Sequence, residues 1–173
     1  IFALVTIFKK HWSGISAPIY AVLQGLFLGG ISAIYESQFD GIVVQAVGLT
    51  LGTLSSLLVL YKTGIVKPTE NFRLMVTSAT MGIGLLYLVS MIMNMFGSSI
   101  GFIHSNGLFG IGFSLFVVAI AALNLVLDFD FIEQGSEQGA PKYMEWFGAF
   151  SLMVTLIWLY LEMLRLLAKM RSR

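Results

Sequence analysis

Five of the nine acidic residues stand out by position. Asp128, Asp130, Glu133 and Glu137 fall within ten places in LVLDFDFIEQGSEQG, directly after a long uncharged run. Glu162 lies alone in FGAFSLMVTLIWLYLEMLRLL. On a helix, Asn124 and Asp128 are four apart and share a face, whereas Asp130 points about 200° away from Asp128. The two aspartates therefore cannot serve one site. Asp128 continues a face with Ala121 and Asn124 and can turn inward, while Asp130, Glu133 and Glu137 read as solvated residues beyond a helix end.

Glu162 poses a sharper problem. An ionised carboxylate facing lipid costs several kcal/mol, so the side chain must face protein, pair with a cation or hold its proton. Arg165, three residues on, offers an i, i+3 partner, and both a structural ion pair and a functional acid fit the spacing. No other constellation rises to chemistry. His11 and His104 are far apart and belong to no HExxH spacing, so no metal site is assigned, and the absence of Cys removes disulfides, thiolate catalysis and zinc–thiolate sites together. GLFGIGFS has no GK[ST] and lies inside an apolar run, so it is no phosphate loop. Ser114 lacks a nucleophile-elbow setting, which argues against an intramembrane hydrolase built on Ser114 and His104, and the DxD of Asp128 and Asp130 has no nucleotide-binding domain around it. Neither an enzyme nor a resident cofactor is expected.

The elements that must position these acids are legible in the hydropathy. The chain is 57% hydrophobic and 11% charged, where a soluble domain carries about a quarter charged residues. Apolar stretches of about 20 residues, the length that crosses the hydrocarbon core as helix, run near 15–35, 41–61, 74–96, 107–127 and 143–167. The expected fold is all-α, a polytopic membrane helix bundle in one transmembrane domain over residues 1–173. Alternating ten-residue segments, the mark of a membrane β-barrel, are absent. IFALVTIF, which stops at Lys9, reads as the tail of a helix whose beginning lies outside the chain. Small residues four apart, Gly25 with Gly29, Gly48 with Gly52 and Ser56, and Gly110 with Ser114, suit close helix packing in lipid.

A net charge of +1 offers no basic surface for nucleic acid. Lys9, Lys10, Lys62, Lys67, Arg73 and Lys142 gather on one side of the alternating spans, and the loops at 36–40 and 97–106 hold no Lys or Arg. The positive-inside rule then places the 62–73 loop and the acidic 128–142 connection in the cytoplasm. Arg165, Lys169, Arg171 and Arg173 fall on the opposite side and conflict with that orientation.

With these residues assembled, the chain resembles the bacterial YccA-like branch of the Bax inhibitor family. APIYAVLQGLFLGGISAIYES is similar to the family's third helix, ALNLVLDFDFIEQG to its sixth, and GAPKYMEWFGAFSLMVTLIWLYLEMLRLL to its seventh. The resemblance implies a seven-span type, with the first helix and most of the second missing here, in the bacterial inner membrane. It further implies a passive Ca²⁺ leak gated by two carboxylates that share a proton, one ending helix six and one within helix seven. LDFDFI is similar to the family's YDxNxI and puts the first on Asp128; LYLE in place of LYLD puts the second on Glu162, with Asn124 and Arg165 as supporting polar residues. Two carboxylates in one poorly hydrated site do not readily both ionise, which makes such a pair a natural pH sensor. Glu162 is one methylene longer than the family's Asp, and the family's latching Arg has only Lys9 and Lys10 near its place. The expected partners are the bilayer, protons and Ca²⁺ as transported ion. The rival reading is an interaction protein that regulates a membrane protease or other membrane assembly through its acidic loop.

Overall fold

The computed structural model describes residues 1–172, and every side chain among them except that of Phe102. Arg173, counted above with the basic tail, lies outside the described residues. The elements are α1 (Phe2–Phe8), a 3₁₀ turn (Lys10–Trp12), α2 (Ser13–Gln38), α3 (Ile42–Lys62), α4 (Glu70–Met95), a one-turn α5 (Gly101–His104), α6 (Leu108–Glu137) and α7 (Tyr143–Arg171). Five of these helical segments are long and apolar enough to cross a membrane, and the described residues contain no strand.

Helix ends are fixed by local chemistry. Glu36, near the end of α2, accepts from the backbone N–H groups of Gly41 at 2.6 Å and Val43 at 3.1 Å, satisfying donors that the first turn of α3 cannot. Gly41 itself has φ +76°, a turn that a side chain would strain. Thr69 caps α4 by accepting from Phe72 N–H at 3.2 Å.

The acidic stretch departs from expectation. It is no connection: α6 runs on through Asp128 to Glu137, and only residues 138–142 link it to α7. Glu133, Gln134 and Glu137 favour helix, no Pro interrupts the stretch, and the single Gly135 costs about 1 kcal/mol, too little to stop it. Gly139, at φ +63°, makes the turn.

α7 is the central post, packed against α2, α3 and above all α6. Ile42 and Ala46 from α3, Ala121 and Leu125 from α6, and Leu159 and Leu164 from α7 form the main buried cluster. Ile83 of α4 packs with Val117 and Ile120 of α6 in a second. Large apolar residues such as Leu26, Leu51, Leu85 and Phe116 point outward, as lipid-facing surfaces do. Gly25, Gly29, Gly48 and Gly52 also meet open space, so the small-residue spacing in α2 and α3 brings no helices together here.

α4 touches the bundle along one stripe, in which Arg73, Val76, Thr80, Ile83, Tyr87 and Ser90 recur at alternating steps of three and four. Val76, Ile83 and Ser90 are buried, and the other three, Arg73, Thr80 and Tyr87, reach polar partners on α6 and α7.

Candidate functional site

Asp128 and Glu162 are both buried, at 8% and 2% exposure, and each is held by a different set of partners. The Asp128 Oδ1 atom accepts from the Ser151 hydroxyl of α7 at 2.6 Å. Glu162 Oε1 accepts from the Tyr87 hydroxyl of α4 and from Arg165 Nη1, both at 3.0 Å. Arg165 Nη1 also donates to the Tyr87 oxygen at 2.8 Å, and its guanidinium stands 5.2 Å from the Tyr87 ring centre. The i, i+3 pair read from the sequence therefore exists, closed into a triangle by Tyr87, which stands in no motif.

The expected meeting of Asp128 with Glu162 does not occur. Asp128 faces Ser151, and Glu162 lies eleven residues further along α7, about 16 Å away along the axis at 1.5 Å per residue. The five-residue connection imposes this. In an antiparallel hairpin turning near residue 140, a group twelve residues before the turn meets one about twelve after it. Ser151 is that neighbour, and Glu162 is level with Val117 and Val118 instead.

Asn124 shares the α6 face of Asp128 yet serves α4: its Nδ2 donates to Thr80 Oγ1 at 2.7 Å and to the Ile120 carbonyl at 2.8 Å. Asp130, expected in solvent, instead forms an ion pair with Arg73 and accepts from Gln134 Nε2 at 2.8 Å. Glu133 is exposed but accepts from the Tyr61 hydroxyl. Glu137 is exposed. A helix that continues past Leu127 carries these acids alongside α3 and α4, which explains why they find partners there.

Together the polar groups form a file. Ser151, Thr155, Glu162, Arg165 and Lys169 fall within an arc of roughly 80° on α7 at 100° per residue. They extend over about 27 Å of its length, close to the roughly 30 Å hydrocarbon thickness. At the Lys169 end the file borders a cavity of 480 Å³ lined by Tyr35, Gln38, His104, Asn106 and Arg165 among others. Among the described residues, no three His, Cys, Asp or Glu side chains gather as a metal cluster.

One buried oxygen on each acid, Oδ2 of Asp128 and Oε2 of Glu162, has no hydrogen-bond partner among the described residues. A family model for Bax inhibitor 1 like proteins matches residues 1–172. The chain belongs to this family. As a Bax inhibitor 1 like protein it is a multi-pass membrane protein, and its family resemblance extends from α1 to the end of α7. No curated protein and no solved structure matches the chain.

Proposed function

We propose that this Bax inhibitor 1 like protein is a passive Ca²⁺ leak under proton control in the bacterial inner membrane, with Asp128 and Glu162 as two separate proton-binding stations in series. The observation that carries the reading is the pair of buried carboxylate oxygens without a hydrogen-bond partner among the described residues. A buried polar atom without a partner is costly, and a proton or a passing cation is what a carboxylate oxygen in that position can accept. The file on α7 supplies further oxygen and hydroxyl groups between and around the two stations. Ca²⁺, a hard cation, is suited to such oxygens.

Neither catalysis nor a resident cofactor belongs to this proposal. A role as a partner-binding module acting through a free acidic loop draws less support, since Asp130 and Glu133 are engaged by Arg73 and Tyr61.

Ca²⁺ efflux from proteoliposomes, followed against pH for wild type, Asp128→Asn, Glu162→Gln and the double variant, tests the assignment. Each single substitution is expected to remove part of the pH response. The double variant is expected to show the sum of the two effects, because groups more than about 10 Å apart act nearly additively. A profile unchanged in both single variants would remove the sensor assignment. Strong non-additivity would restore a shared-proton pair.

A further inference from the structure

Lys169, in the last turn of α7, is 5% exposed and plays no part in the sensor just described. Its ammonium donates to the Ile103 carbonyl at 2.5 Å, the Ser114 hydroxyl at 2.9 Å and the Gly110 carbonyl at 3.2 Å. Three N–H groups meet three oxygens, the full complement of a charged lysine. In the ammonium form Lys169 donates to all three, with the Ser114 hydroxyl as an acceptor.

The backbone builds this oxygen cluster. Ile103 lies in the one-turn α5, whose carbonyls have no following turn to bond. Gly110 lets the loop approach α6 closely, since a Cβ there would stand 1.9 Å from the Ser105 carbonyl oxygen. Two main-chain carbonyls and a hydroxyl, all neutral, are the oxygen types that replace a small cation's hydration shell in selective pores. The cluster sits at one end of the polar file, and the adjoining 480 Å³ cavity gives the lysine head room to withdraw.

We infer that the Ile103, Gly110 and Ser114 oxygens form a small-cation site held by Lys169 as a tethered occupant, in competition with inorganic cations entering the file. The site itself stands on this geometry; its effect on flux rests on the leak proposed above.

Chemical rescue tests the site without reference to flux. In Lys169→Ala, n-propylammonium replaces the atoms removed beyond Cβ. The variant in detergent is expected to lose about 5 °C in Tm and to regain most of it with propylammonium, but not with tetramethylammonium at equal ionic strength. Equal effects of the two amines, or no rescue, would overturn the site. Lys169→Met, which keeps the apolar stem, supplies the second measurement should Lys169→Ala fail to fold. Removal of a fixed positive charge from the path predicts Ca²⁺ efflux about tenfold faster than wild type, with Lys169→Arg no faster than wild type. Efflux by Lys169→Met equal to that of a leaking wild type overturns the competition. A wild type with no leak removes the proposed function, while the amine rescue still decides the site.

Discussion

Asp128 and Glu162 meet the same difficulty with different means. An ionised group at the centre of a membrane helix costs about 2.5–3.5 kcal/mol on insertion scales. Glu162 offsets this with a guanidinium and a phenol, whereas Asp128 has a serine hydroxyl. Close packing is as local as the polar pairing. Gly110→Ala must push the Ser105 backbone aside and is expected to destabilise by about 1–3 kcal/mol, read as a lower Tm in detergent. Gly25→Ala meets open space and should leave Tm unchanged or slightly higher. The sequence located both acids, and their burial follows from the cost of exposing them to lipid. It paired them wrongly because helix phase gives the face of a residue and not its level. The level was available in the short EQGAPK turn, which opposes Asp128 to Ser151. Neither Tyr87 nor the buried role of Lys169 is marked by a motif. Their roles arise from residues 75 and 66 positions away in the chain.

α4 is the element whose attachment invites a test. Its contacts run along one stripe, with Arg73 to Asp130, Thr80 to Asn124 and Tyr87 to Glu162 two helical turns apart in succession. The helix thus flanks the file and is tied to it through polar groups. With no native Cys, the protein suits disulfide trapping. Thr80→Cys with Asn124→Cys, at positions whose side chains now touch at 2.7 Å, is expected to crosslink on oxidation and to halt Ca²⁺ efflux, with recovery on reduction. Unaltered efflux in the oxidised protein would mean that α4 stays docked during conduction. The five spans were legible from hydropathy because apolar length alone defines them. The far end of α6 was not: charge marks where a chain leaves lipid, and a segment with no Pro and a single Gly between Asp128 and Glu137 continues as helix regardless. The glycine spacings of α2 and α3 were also a poor guide, since those faces meet no neighbour in the fold.

At the scale of the molecule, the conflict over orientation has a local origin. Arg165 is bound to Glu162 and Tyr87, Lys169 to the oxygen cluster, and Arg171 to the Asp40 carbonyl and Gln45. Each of these cations has a partner within the chain, Arg171 at its surface, which gives them a place at the end of α7 apart from any orienting role. The orientation expected from the remaining basic residues predicts that Thr63→Cys reacts with an impermeant maleimide only from the cytoplasm, and Ser98→Cys only from outside. The reverse pattern would invert the assignment. The one-sided seam of α4 also bears on biogenesis. Tyr87 is made 75 residues before Glu162, an interval of about 4–15 s at ribosomal rates of ~5–20 residues per second. During that interval Tyr87 waits in the bilayer without its mate, and Arg73 and Thr80 wait until Asp130 and Asn124 are made, so the nascent helix needs shelter at the insertion machinery until the final hairpin arrives to claim it.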